Sequence, residues 1–247
     1  VIDRVFVLIP AYNAGATLER VLARIPDAAR LRLERLVIVD DGSLDDTALV
    51  LARLKARLPQ LVVLRHDHNR GYGAAEKTLL DYALREGAGA TVLLHADGQY
   101  SPQKILDMLE PLDRGEADLV QGSRMVGGGA LRGGMPLYKF AANRVLTGVQ
   151  NIAFGMRLAE YHSGYLAHSA RLLERLPLDR LSDSFDIDIE VMICAHLLGL
   201  RIREVAIPTI YAGEISYLRP VRYGLDVLKI VKKYRRGFYR ALLQGEA

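Results

Sequence analysis

A single cysteine, Cys194, stands among 247 residues. No internal disulfide can form, and a cysteine-rich zinc site is excluded. Long apolar runs are also missing. No stretch approaches the roughly 20 apolar residues that span a bilayer, so the chain is expected to touch a membrane at most. The opening VIDRVFVLIPAYN carries Asp3 and Arg4 early, and its apolar run is too short for a secretory signal. Internal repeats and low-complexity linkers are absent, so one continuous domain is expected. A cytoplasmic setting follows, extending to the cytoplasmic face of a membrane. The charge is nearly balanced, at +4 with a sequence pI of about 9.2. The basic excess gathers near the C-terminus without a nucleic-acid recognition motif, so nucleic acid is not an expected partner.

What is present is alternation. RVFVLIP, RLVIVDD, LVVLRHD, ATVLLHAD and ADLVQGS are short, Val- and Leu-rich segments, each followed by a polar or glycine-bearing turn. Between them, Ala16–Ile25, Asp45–Leu58, Ala74–Glu86 and Pro102–Leu112 have helical patterning. SLDD, from Ser43 to Asp46, has capping-box form and predicts a helix starting just after Ser43. This alternation predicts an α/β fold with a mainly parallel sheet covered on both faces. Beyond residue 135 the sequence predicts a long helix in MPLYKFAANRVLTGVQNIAFG. EYHSGYLAHSARLLERLP reads as a loop and short helix, SFDIDIEVMICAHLLGL as a further helix, and RIREVAIPTIYA as a last strand. Residues 1–215 form the expected domain and 216–247 a basic amphipathic helical tail. In that tail Arg222, Lys229, Lys233, Arg236 and Arg240 oppose Val227, Leu228, Val231, Tyr234 and Phe238. Such a helix either lies on an anionic membrane or packs on the domain with its charges in water.

Ligands in parallel sheets bind beyond the carboxyl ends of the strands. The polar residues collect there, in PAYN, DDGS, HDHNRGYG, HADGQ and GSRMVGGGALRGG. Asp40 and Asp41 can accept from a ribose or base, or satisfy their own turn. RGYGAAE lacks the third glycine of a dinucleotide fingerprint and is read as a tight turn into a helix, with Asn69, Arg70 and Gly71 near a ligand. Asp97 suits a hard cation such as Mg²⁺ or Mn²⁺, with His95 and Gln99 spaced two residues to either side. His95 is either a ligand of that ion or a hydrogen-bonding neighbour. Arg124 suits a phosphate. Glu160 with His162, and Asp186, Asp188 and Glu190, are candidate acid–base groups or structural ones.

IPAYN, VDDGS, NRGYGAA, HADGQYSP, GSR, SGY and REVAIP occur in that order over nearly the whole chain. The set resembles the family 2 glycosyltransferases of GT-A fold, most closely the dolichol-phosphate (polyprenyl-phosphate) sugar synthase branch. The resemblance implies an inverting transfer from a nucleotide-diphosphate sugar, with UDP or GDP as carrier, and a divalent metal, Mg²⁺ or Mn²⁺. The implied acceptor is a lipid phosphate, or otherwise a glycan or small-molecule hydroxyl. It places Pro10, Ala11, Tyr12, Asn13, Asp40, Asp41, Asn69, Gly71, Ala96, Asp97 and Arg124 around the donor. Asp97 and Gln99 take the metal, with His95 where the branch carries a first Asp. Asp97, Arg124, Asp186, Asp188 and Glu160 are the catalytic candidates. Two further departures bear on the acceptor. EYHSG replaces Asp-x-x-Ser-Gly, and EVAIPTIYAGEISYLR holds Gly213, Glu214 and Ser216 without the branch's basic residues. The competing readings are a nucleotidyltransferase, which PAYNAGATLER disfavours for want of a basic glycine-rich loop, a non-catalytic nucleotide-sugar-binding protein, and a dehydrogenase.

Overall fold

The computed structural model describes residues 1–208 and 220–246, the side chains of 220–223 excepted. Seven strands form one sheet: β1 (Val5–Ala11), β2 (Leu33–Asp40), β3 (Leu61–Arg65), β4 (Ala90–Leu93), β5 (Leu119–Ser123), β6 (Leu166–Ser169) and β7 (Ile202–Ala206). Their order is β3-β2-β1-β4-β6-β5-β7. All pairs are parallel except those of β6, which runs antiparallel between β4 and β5. The helices are α1 (Leu18–Ala23), α2 (Asp27–Arg30), α3 (Thr47–Arg57), α4 (Tyr72–Arg85), α5 (Ile105–Asp113), α6 (Gly129–Arg132), α7 (Leu137–Phe154), α8 (Ala170–Leu173), α9 (Ile187–Leu197), α10 (Pro220–Arg235) and α11 (Phe238–Gln244).

The two-residue period of a strand sorts the side chains into two cores. Phe6 and Leu8 of β1 join Val37 and Val39 on the face covered by α4, α8, α9 and the C-terminal helices. Val5, Val7 and Ile9 join Leu36 and Ile38 on the face covered by α1, α3 and α5. Burial on both faces explains why β1 and β2 read as continuous apolar runs rather than alternating ones.

The structure corrects several expectations. LAHS, within the segment read as loop and helix, is strand β6, too short and too polar to register as one; its His168 Nδ1 lies 3.0 Å from Thr91 Oγ1. The first helix is shorter than 16–25, and α2 was not foreseen. The SLDD capping box does not form. Helix α3 begins at Thr47, Asp46 caps it without a side-chain bond, and Ser43 Oγ accepts from Asn13 N–H at 2.9 Å.

The C-terminal stripe also differs. Val227, Ile230, Tyr239 and Leu242 are buried in the core, whereas Leu228 is exposed. Buried Glu190 accepts from Ser182 N–H (2.7 Å), Tyr239 O–H (2.8 Å) and Lys233 Nζ (3.3 Å), which pins α10 and α11 to the body of the fold. The last strand ends at Ala206; Gly213, Glu214 and Ser216 lie outside the described residues, as does the side chain of Arg222. Among the described residues no helix is long and apolar enough to cross a membrane.

Candidate active site

The strand order reverses between β1 and β4, which creates a switch point at their carboxyl ends. Pro10–Asn13 leave β1 on one side of it, and His95–Gln99 follow β4 on the other. Because β6 is antiparallel, it starts where its neighbours end. That reversal delivers Glu160–Gly164 to the same edge.

The β1 and β2 loops are tied together. Asp41 N–H donates to Ala11 O at 2.8 Å, Leu44 N–H to Asn13 Oδ1 at 2.9 Å, and Ala14 N–H to Thr47 Oγ1 at 2.8 Å. Asn13 holds a left-handed conformation, φ 49°, which asparagine tolerates better than most residues. Tyr12 is left with its ring half exposed above Ala11. Asp40 is buried; one of its oxygens accepts from Ser43 N–H at 2.9 Å, and the other lies 3.6 Å from Arg65 Nε, beyond hydrogen-bond reach.

The Asp41 carboxylate is engaged within the protein. It meets His66 Nδ1 at 2.6 Å and accepts from Arg70 N–H and Gly71 N–H, both at 2.9 Å. It therefore shapes the loop after β3 that presents exposed Asn69. Gly71 has φ 97°, and a Cβ on Gly73 would stand 2.5 Å from Ser182 O. These two glycines are turn and packing residues, as the incomplete fingerprint suggested.

After β4, Ala96 is buried and Asp97 exposed. Asp97 Oδ1 accepts from Gln99 N–H at 2.9 Å, so one turn holds both residues. His95 faces elsewhere. Its Nε2 is 3.1 Å from Tyr72 O–H, which donates to Asp188 at 3.3 Å. Tyr72 O–H thus bridges the His95 ring nitrogen and the Asp188 carboxyl. Burial holds the His95 pKa below its ordinary value, which keeps the ring neutral. Among the described residues no three His, Cys, Asp or Glu side chains are arranged around a cation.

Arg124, at the end of β5, is clamped. Its Nε donates to Glu160 Oε1 at 2.9 Å, its backbone N–H to Oε2 at 2.9 Å, and a terminal nitrogen to His162 O at 2.8 Å. Asn143 of α7 donates to the same carboxylate at 3.2 Å. Glu160 is fully buried, and its oxygens are taken up by these donors. It is built to position Arg124 rather than to take a proton from an acceptor. Burial pushes the neighbouring His162 down to about 4.

Beneath His95 the candidate Asp188 joins two residues that the sequence did not single out. Tyr72, Glu76 and Asp188 meet where α4 faces the start of α9. Glu76 is fully buried with neither oxygen in a hydrogen bond of good geometry. Its pKa is pushed well up, first by burial and then by the charge of Asp188. Asp188 is raised to about 7, chiefly by burial. Two adjacent buried carboxyls cannot both ionise cheaply, so the pair retains a proton. Gly164 seals the cluster: a Cβ there would lie 2.8 Å from His95 Nε2, 2.9 Å from Tyr72 O–H and 3.0 Å from Asp188 Oδ2. Asp186 stays outside the cluster, bonded to Ser182 O–H at 2.5 Å at the head of α9. Glu76 reads in sequence as an ordinary surface charge. The available signal was its place one turn after Tyr72, on the stripe that continues through Leu79, Leu80 and Ala83.

A sheet of this order, with acceptors and donors gathered at a β1/β4 switch point, defines a nucleotide-binding α/β enzyme of the GT-A type. Among solved structures, glucosyl-3-phosphoglycerate synthase from Mycobacterium tuberculosis, crystallised with Mn²⁺, UDP and phosphoglyceric acid, superposes with a TM-score of 0.69 at 21% identity, covering 95% of this chain and 79% of that one. Residues 6–181 match the family described as Glycosyl transferase family 2, and the chain belongs to that family; it is a glycosyltransferase. The UDP-N-acetylglucosamine–dolichyl-phosphate N-acetylglucosaminyltransferase of Methanococcus voltae is 28% identical over 97% of this chain and 95% of its own. The polyprenol monophosphomannose synthase of Mycolicibacterium smegmatis is 30% identical over 76% and 71%. An uncharacterised Methanocaldococcus jannaschii protein, MJ1222, is 31% identical over 85% and 82%.

Proposed function

We propose that the protein transfers a sugar, with inversion, from a nucleoside-diphosphate sugar to a polyprenyl phosphate at a membrane surface. The observation that carries the acceptor is the near end-to-end match to the M. voltae enzyme, named for transfer to dolichyl phosphate. The donor is assigned to the switch point. Tyr12 offers a ring face to the base, and Asp40, whose second oxygen is left without a hydrogen bond, accepts from the nucleoside. Asn13 and Asn69 line the rim, Ala96 the floor.

The exposed carboxylate of Asp97 and the amide of Gln99 are hard oxygen donors. They fit Mg²⁺ or Mn²⁺ whose remaining coordination comes from phosphate and water. Bound there, the ion would neutralise charge on the diphosphate. Arg124 is held at a fixed position at this edge, and Glu160 cancels most of its net charge. A lipid phosphate oxygen attacks the anomeric carbon. The bond from that carbon to the diphosphate oxygen breaks, and the nucleoside diphosphate leaves with the electron pair. An anionic nucleophile needs no base.

A second reading, transfer to a hydroxyl, is favoured by Asp188, a carboxyl raised to about 7 beside the donor edge that could take a proton near neutral pH.

The test is incubation with radiolabelled UDP- and GDP-sugars, with and without Mn²⁺ or Mg²⁺, and either a polyprenyl phosphate or a soluble hydroxyl acceptor. Label in an organic-extractable, mild-acid-labile product supports the proposal. Label only in the hydroxyl product overturns it in favour of the second reading.

A further inference from the structure

Helix α7 buries Phe154 and packs Leu146 and Ala153 against the core, but polar residues share that inward side. Its inward face carries Asn143, Thr147 and Gln150, all buried. Asn143 serves Glu160, Thr147 O–H donates to Asn143 Oδ1 at 3.3 Å, and both amide atoms of Gln150 lie buried without a hydrogen-bond partner in the described structure. Its outward face carries Tyr138, Val145, Val149 and Ile152, exposed by 71, 66, 40 and 81%. Spacings of seven, four and three residues align them on one side of the helix, and the exposed Ala141 and Ala142 fall on the same side. From Tyr138 to Ile152, at 1.5 Å per residue, the stripe is roughly 21 Å long.

Single exposed apolar residues need no explanation, but a continuous stripe does. Charge selects its occupant. α7 contains no acidic residue, and its two charged side chains, Lys139 and Arg144, are basic and flank the stripe on opposite sides. Helix α10 packs beside α7, with Tyr234 O–H donating to Phe154 O at 3.0 Å, and it carries exposed Lys232 and Arg235, while its Lys229 pairs with Asp226 at 2.8 Å. An apolar face bordered by cations matches the acyl boundary and headgroups of anionic lipid.

We propose that the outward stripe of α7 is the surface by which this protein docks on an anionic bilayer, with the helix lying in the headgroup plane. The inference deepens the lipid-phosphate reading and takes its occupant from it. It also moves the membrane contact away from the C-terminal helices, where Val227, Ile230, Tyr239 and Leu242 are buried in the core and only Leu225 and Leu228 stay exposed among the large apolar residues described. The geometry gives the docking a purpose, because the inner face of the same helix holds Glu160, and through it Arg124.

The experiment is co-sedimentation of the full chain with vesicles of pure phosphatidylcholine or of an equal phosphatidylglycerol–phosphatidylcholine mixture. The wild type is compared with a variant carrying Val145→Ser, Val149→Ser and Ile152→Ser. Wild type is expected to bind the anionic vesicles, less so at high salt. The variant is expected to partition at least tenfold less, with unchanged circular dichroism, Tm and donor binding. A variant that binds like wild type overturns the proposal, and so does a wild type that ignores both vesicles. If the substitutions instead abolish a dimer seen by sedimentation while vesicles go unbound, the stripe is a contact between copies and the proposal also fails. Transfer to a short polyprenyl phosphate in detergent is measured in parallel. Its absence in the wild type sinks the acceptor reading alone, whereas its persistence in the non-binding variant leaves that reading standing.

Discussion

Consider Glu160→Gln. The substitution keeps the shape of a fully buried side chain but removes the charge that Arg124 faces. The guanidinium is itself only 13% exposed, so water cannot take over the role of the carboxylate. Breaking a buried ion pair from one side costs about 3–5 kcal/mol; residual access of Arg124 to solvent places this case near the lower end, about 3 kcal/mol. For a chain of this size 1 kcal/mol moves Tm by about 2–4 °C, so the expected drop is roughly 6–12 °C. Arg124→Met should cost a similar amount, because it leaves the buried Glu160 charge with only Asn143 and the backbone N–H of residue 124 as donors. The double variant should lose clearly less than the sum, because each change removes the reason for the other. Urea and thermal unfolding of the four proteins, followed by circular dichroism, read out the cycle. A single-variant shift below about 2 °C, or strictly additive losses, would refute the claim that Glu160 exists to hold Arg124.

Other expectations follow from the same geometry. Asp97→Ala should abolish the metal-dependent part of nucleotide-sugar binding in calorimetry while leaving the unfolding free energy within about 0.5 kcal/mol of wild type, because the residue is exposed; unchanged binding with metal would remove Asp97 from the site. Asp188 is raised from the ordinary carboxyl value to about 7, so the native state holds a proton that the unfolded chain gives up earlier. Its contribution is intact below the unfolded pKa and is lost as pH rises through about 7. Asp188→Asn should therefore match wild type in stability near pH 4 and exceed it near pH 8 in a Tm-versus-pH series; a constant offset would contradict this. Gly164→Ala drives a methyl into His95, Tyr72 and Asp188 together and should cost about 1–3 kcal/mol in urea unfolding.

Much of this architecture is written locally. The two-faced strands announce themselves because every residue of β1 and β2 near the core is apolar, and the polar loops after them mark the ligand edge without any knowledge of partners. Strand β6 is different. LAHS has no alternation and only four residues, and it becomes a strand because two neighbours already offer it hydrogen-bonding edges. The same holds for roles. Asp97 and Gln99 share a turn that two-residue spacing could suggest. That Asp41 serves a backbone loop, that Glu160 serves an arginine, and that Glu76 sits beside Asp188 depend on contacts between segments 29–30, 36 and 112 residues apart. In α7 the helical period was legible, but which side faces in was not: polarity alone would have buried Val145 and Ile152.

The carboxylate of Asp41 has one more consequence. By gathering His66 and two backbone amides it fixes the shape of the loop after β3, so under the proposed donor assignment little of the entropy of binding is spent on shaping that wall. The tips of the frame, Tyr12 and Asn69, bear none of that tension; their side chains can change while the frame stays fixed. Rigidity at the root and freedom at the rim give such a scaffold room to drift from one nucleotide base to another without refolding its site.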